Sequence, residues 1–495
     1  VRLRGPLAGS YPAAVALVVF ALTPYLALST ALLPLTPSIA SSVGLSKQSL
    51  ELTSGMANAA YAFGTVAAVQ LAVHLRGRRL LVLYASLFLV GSVLAAGAWT
   101  AGLFVAGRVL QGLCTSLMLI AAVPPLVAGW PAAKMRSTAI TMNMCIFGAV
   151  ALGPVIGGAQ AAAGGWRTLL WVVAGLAAAA LVFSLLTFED QPPQDRSAPW
   201  DWVAQTLAGL GCASAFFGAS QLATHSMTAT IVLVPLLAGA AAVAALVVYE
   251  YLIPRPLMPV RALASTIPVA GIVTAVCAGA ASVAIVELVQ TALLTRTTPG
   301  HAGALFLPEF GGAVATALIF GAIVRTRWTP LFALAGMALL AGGAAVLTGV
   351  AGGPLVLVPI GTGLVGLGVG ASVSPALFLS GFSQRSQLIQ RIFALVELLR
   401  GVAAFMAAPI ILHLSKTVAG PAAGTRIGIW VCLGIAAGGG LLAAYIYVLG
   451  RPGLRRPRLE RWLDGEGPAL ESPPLGAAIR GEPTLPEPFA RRSGS

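Results

Sequence analysis

From residue 14 to residue 449 the chain is a succession of apolar runs separated by short polar breaks. Each run is close to the ~20 residues that an α-helix needs to cross the hydrocarbon core of a bilayer. The pattern predicts about fourteen membrane-spanning helices, near 14–38, 50–74, 80–98, 102–127, 137–162, 168–187, 203–222, 229–252, 268–294, 302–324, 329–350, 354–381, 388–413 and 424–449. The longest polar break before the end, Glu189 to Asp201, parts them into six, two and six. The expected organisation is therefore an all-α membrane protein: an N-terminal six-helix bundle over 1–187, two linker helices with flanking loops over 188–265, and a C-terminal six-helix bundle over 266–450. After Gly450 the apolar pattern stops. Arg451, Arg455, Arg456, Arg458 and Arg461 with Trp462 make a basic segment suited to an anionic lipid surface. From Gly465 to Ser495 the chain is rich in Pro, Gly and Glu and is expected to be a disordered cytoplasmic tail.

Composition agrees. The chain is 58% hydrophobic and 9% charged, with a mean hydropathy of +0.91, where soluble domains carry about 25% charged residues. The net charge of +14 would suggest nucleic acid in a soluble protein, but here the arginines sit in loops and the tail. With the N-terminus inside, the cytoplasmic segments hold Arg2, Arg4, Arg76, Arg78, Arg79, Lys134, Arg136, Arg196, Arg255, Arg261, Arg325, Arg327, Arg385, Arg391 and the Arg451–Arg461 cluster. The opposite side holds Lys47, Arg167, Arg296, Lys416 and Arg426. That bias predicts both termini in the cytoplasm, with no nucleic-acid partner. Three lysines among many arginines, with abundant Ala and Gly, hint at a bacterial plasma membrane, and the first apolar run is read as a retained span. The five cysteines lie in apolar runs without CxxC spacing and read as small buried hydrophobes.

One stretch stands out: Gly148-Ala-Val-Ala-Leu-Gly153-Pro154-Val-Ile-Gly157-Gly158. Glycines at this spacing clear one helix face for a close neighbour. Pro154 removes a backbone donor, which a membrane bundle tolerates when a neighbour satisfies the freed carbonyl. A packing face suffices to explain the spacing; the sharper reading is a helix in a bundle that moves to open a path. Charged residues inside spans are costly and point to function. Arg108, Glu287 and Glu309 each fall ~10 Å from the outer end of their spans at 1.5 Å per residue. Glu397 has Arg400 one turn later, where the two can pair. Glu287 has no basic residue within a turn on its own helix, which makes it the first candidate for a proton site, ahead of Glu309 and Glu397.

These residues resemble the major facilitator superfamily, and specifically its fourteen-span drug:proton antiporter branch. Arg108-Val-Leu-Gln111-Gly112 looks like the family's Arg-x-x-Gln-Gly motif, and Gly148 to Gly158 looks like its antiporter motif. Gly165-Trp166-Arg167, Asp201-Trp202, Glu250 with Pro256-Leu257-Met258-Pro259-Val260-Arg261, Gln290, Thr298-Pro299, Ala302-Gly303 and Leu307-Pro308 also fit. The resemblance implies gating or structural roles for the motif residues; Gln290 and Arg400 are the candidates for the substrate cavity. Two departures stand against it. In the loop after the second span, Gly77-Arg78-Arg79 match, but Gln70 replaces a glycine and His74 an aspartate. The first span also lacks an acidic residue, since none lies between Val15 and Ile39.

No Gly-x-x-x-x-Gly-Lys-[Ser/Thr] loop, hydrolase triad or metal cluster appears, so neither an ATP-driven pump nor an enzyme is expected. The reading is a monomeric exporter of amphipathic drugs or metabolites that uses the proton gradient and no cofactor, its partners being the small-molecule substrate, protons and membrane lipids. A symporter or facilitator of the same fold is the first alternative. A non-transporting sensor or scaffold is the second.

Overall fold

The computed structural model describes residues 5–75, 77–187, 189, 199–417, 420–451 and 453–481. It is almost entirely helical, with no strand among the described residues. Fourteen helical stretches are long and apolar enough to cross a membrane. In chain order they are α1 (Tyr11–Ala31), α2 (Gln48–His74), α3 (Arg79–Ala96), α4 (Ala101–Ala128), α5 (Ala132–Ala162), α6 (Trp166–Leu186), α7 (Trp202–Gln221), α8 (Thr230–Leu252), α9 (Thr266–Leu294), α10 (Pro299–Ile323), α11 (Thr329–Leu347), α12 (Leu357–Phe382), α13 (Ser386–Thr417) and α14 (Ala422–Gly450). The apolar runs mark all of these within a few residues, save at the end of α1. The first helix stops at Ala31, and the chain continues through a 3-10 turn, Leu33–Leu35, and a short helix, Thr36–Val43. Pro34 and Pro37 cause the break, because neither can donate to a preceding carbonyl or lie against it in a helix interior.

The side on which Tyr11 begins and Gly450 ends is here called proximal, and the other distal. Helices α1 to α6 pack among themselves, as do α9 to α14. The two sets meet along two seams, α5 against α10 and α2 against α13. Helix α8 packs on α7, and α7 lies on both α2 and α13. Distally, Gln48 donates to Gln221 (2.9 Å) and His413 Nδ1 to the Leu222 carbonyl (2.9 Å). Proximally, Trp200 stacks on His74 with ring centroids 4.5 Å apart, and the Asp201 N–H donates to Gln70 Oε1 (3.3 Å). The two residues that depart from the family's loop pattern thus dock the start of α7.

The tail differs from expectation. Within its described part it forms two short helices, α15 (Leu459–Leu463) and α16 (Leu475–Ile479), folded onto the proximal ends of the spans. Trp462 is fully buried and Leu459, Ala469 and Leu470 are buried with it. These apolar side chains outweigh the Pro- and Gly-rich composition because the bundle offers them a hydrophobic site that composition alone does not reveal. Residues 482–495 of the expected tail lie outside the described residues, as does most of the Glu189–Asp201 break.

Candidate functional site

A central cavity of ≈ 1630 Å³, open mouth included, is lined by α1, α2, α4, α5, α9, α10, α12, α13 and the short helix after α1. Its residues run from the middle of the spans to their distal ends: Leu26 to Thr30 on α1, Glu51 to Asn58 on α2, Gly279 to Thr291 on α9, Arg400 to Leu412 on α13. Below it the proximal half is filled. Phe378 is ringed by Phe320, Phe382 and Phe393, with centroids 5.3–6.5 Å away. Asn143 on α5 crosses to the second set, its Nδ2 donating to the Gly370 carbonyl on α12 (2.9 Å).

Helix α5 forms the cavity wall between the two sets, and its glycine stretch shows why. A single π-helical turn, Met144–Gly148, widens the helix just before the stretch. Beyond it, side chains at Gly153 and Gly157 would strike α1 at Ala27, Thr30 and Ala31. One at Gly158 would strike Pro299 and Gly303 of α10. A side chain at Gly148 would first meet Met144 of its own helix. Pro154 leaves the Val150 carbonyl without its helical partner, and the Thr30 hydroxyl of α1 donates to it (2.7 Å). The stretch is therefore a packing face with two neighbours, one in each set.

A polar chain crosses the floor of the cavity. Arg108 Nη1 donates to Gln111 Oε1 (2.7 Å), and Gln111 Nε2 donates to Ser92 Oγ (3.1 Å). The Arg108 guanidinium lies 5.2 Å from the centroid of the Tyr25 ring. Tyr25 donates to Asn58 (3.1 Å) and stacks on Tyr61 at 5.9 Å. The Tyr61 hydroxyl donates across the α2–α13 seam to Glu397 Oε2 (3.3 Å). Glu397 accepts from Arg400 Nε (3.1 Å) and Nη2, and both residues are buried. Arg400 in turn lies over Phe147 of α5, 5.9 Å from its centroid. Gly112 brings α4 against Ala57 of α2 and lets the Tyr25 hydroxyl approach.

The other two expected carboxyls are differently placed. Glu287 lines the cavity with Gln290 one turn on, and its charged surroundings are Glu51 on α2 and Lys416 on α13, one of each sign. Glu309 lines it from α10, is buried, and has an Oε2 with no hydrogen-bond partner among the described residues. Arg108 and Arg400 line the same cavity. The loop residues do not. His74 sits at the proximal end, donating from Nδ1 to the Gln70 carbonyl (2.9 Å), while Gly77 and Arg79 are exposed there. The side chain of Arg78 lies outside the described residues. Glu51 is a cavity residue that sequence reasoning missed, because at four residues past Lys47 it looks like a solvated helix end. Asn143 and Tyr61 were missed as well; a buried amide or phenol in an apolar run carries no signal of which neighbour it faces.

A family model described as Major Facilitator Superfamily matches residues 18–408. "Multidrug resistance protein B homolog" of Mycobacterium tuberculosis is 28% identical over 310 residues, 60% of this chain and 56% of that protein. "Multidrug resistance protein Stp" of the same organism is 24% identical over 361 residues, 70% of this chain and 67% of that protein. In the first of these the chain spans little more than half of the relative's length. Among solved structures, the human organic anion transporter MFSD10 superposes with a TM-score of 0.59 at 15% identity, over 88% of this chain and 99% of that one. That likeness shows the fold alone.

Proposed function

Since the chain belongs to the Major Facilitator Superfamily, and is thus a multi-pass transporter of small molecules rather than an enzyme, we propose that it exports amphipathic drugs or metabolites in exchange for protons by alternating access. The observation that carries this reading is that Glu287 and Glu309 face the cavity without a cation bonded to either, among the described residues. A carboxyl of this kind is suited to alternate between a proton and a cationic substrate, whereas one held in a buried ion pair is not. Glu287 is the first candidate, since Gln290 beside it offers an amide to the same substrate, and Glu309 is the second. Glu397, bonded to Arg400, holds the floor of the cavity rather than carrying the proton. The substrate class rests on the relatives' names and on a cavity that is mostly apolar with few polar anchors.

The proximal side is the cytoplasmic one, on the bias of arginines, so the conformation described faces outward. The chain works as a monomer in a bacterial plasma membrane, with lipid and proton as its other partners and no cofactor. In the cycle, substrate enters from the cytoplasm and displaces a proton, the two sets rock about the seams, and a proton taken up outside resets the carrier. A second reading, the same fold without proton antiport, draws on α1, whose cavity face carries Leu26, Ser29 and Thr30 and no carboxyl.

Substrate-induced proton release from the purified carrier separates the two. An antiporter releases protons when a cationic dye is added. Glu287→Gln abolishes both that release and pH-driven export while the protein stays folded. Unchanged export under a pH gradient in this variant removes Glu287 from the mechanism, and no release from the unaltered protein favours the facilitator.

A further inference from the structure

The segment from Arg458 to Ile479 is tied to one set of helices and touches the other. The Leu470 N–H donates to the Phe382 carbonyl at the end of α12 (2.9 Å). At the start of α9 the Thr266 N–H donates to the Pro473 carbonyl (3.0 Å), the Ile267 N–H to Ser472 Oγ (2.9 Å), and the Leu475 N–H to the Ala264 carbonyl (3.1 Å). The buried Trp462 ring stands edge-on to Phe382 at 5.1 Å, and its indole N–H donates to the Gln384 carbonyl (2.8 Å). All of these partners belong to the second set or lead into it. Helix α15 also lies against Ala132–Lys134, where α5 of the first set begins. Glu471 of the segment pairs with Arg455 just before it (3.1 Å) and with Arg458 (3.7 Å), and Arg461 pairs with Glu466 (3.3 Å); all are exposed.

Alternating access requires the proximal ends of the two sets to separate. A segment hydrogen-bonded to α9 and α12 travels with the second set, so the contact of α15 with Ala132–Lys134 has to break whenever the proximal side opens. We propose that residues 458–479 are a clasp that holds the proximal side closed and biases the carrier toward the conformation seen here. The clasp rests on the alternating-access part of the functional reading and is independent of which group carries the proton. It makes access from the proximal side conditional on releasing α15. The equilibrium between the two conformations is then set partly by a segment that lines no part of the cavity, since only contacts that differ between two states shift their populations.

Spin labels at Arg79→Cys and Arg325→Cys, both exposed at proximal ends of different sets, report the opening by double electron–electron resonance in lipid nanodiscs. The native cysteines are replaced in this background. Ending the chain after Pro457 removes the clasp, and Ala132→Trp disturbs the same contact from the first set while leaving the segment docked on the second. Both are expected to raise the long-distance, proximal-open population roughly tenfold. An unchanged distribution on truncation overturns the clasp. So does a shift on truncation that Ala132→Trp fails to reproduce, because the segment then acts through the second set alone. A single distance in every variant, at acidic and at alkaline bulk pH, overturns alternating access together with the clasp. A shifted distribution with no proton release overturns only the proton coupling.

Discussion

The carboxyls of the cavity differ in what surrounds them, and their substitutions are expected to differ accordingly. Glu397 is bonded to Arg400 and to the Tyr61 hydroxyl, all three buried. Glu397→Gln strands the Arg400 charge, and breaking a buried pair from one side costs about 3–5 kcal/mol. The variant should melt several degrees lower in detergent, and the double variant Glu397→Gln with Arg400→Met should recover much of the loss. A melting temperature unaltered by the single change shows that the pair holds nothing. Glu287→Gln and Glu309→Gln, by contrast, alter carboxyls with no bonded partner among the described residues and leave the melting temperature near that of the parent. What sequence could say at this scale was bounded by the single helix. The i,i+3 spacing of Glu397 and Arg400 was legible because both lie on one helix. The Tyr61 hydroxyl that completes the group was not, because it comes from 336 residues away.

At the scale of the element, α5 shows how one stretch serves two neighbours. Its glycines at 153 and 157 face α1, and its glycine at 158 faces α10 across the seam between the sets. The freed carbonyl at Val150, inferred from Pro154 alone, is met by Thr30; losing such a donor from a buried site costs about 1–3 kcal/mol. Gly158→Leu has no room against Pro299 and Gly303 and should force α5 and α10 apart distally. The expected result is a longer distance between labels at the distal ends of these helices. Gly175→Leu on α6, with nothing within 4 Å of its added Cβ, should change neither distance nor stability. Small-residue spacing announced that a backbone comes close; it could not announce that two do, from different sets.

The whole molecule was the most legible level, because the ~20-residue period of apolar runs is imposed by the bilayer rather than by any partner. The path of the tail was not, since its site is assembled from α9, α12 and the start of α5. The proposed orientation rests on arginine counts and has a direct check. With the proximal side in the cytoplasm, an impermeant thiol reagent added to intact cells should label a cysteine placed at Gly164, in the distal turn before α6. It should spare one at Gly453, just past α14. The opposite labelling reverses the assignment of sides and with it the direction of transport.

Helix α7 bears on both α2 and α13, bonded distally to Gln48 and His413. It therefore lies along one of the two lines where the sets meet. For a solute dissolved in the bilayer the two flanks of the bundle are then unequal. The α2–α13 line carries α7 along it, whereas at the α5–α10 line the approach of the two backbones is set by Gly158 and Gly303, residues that have no side chain.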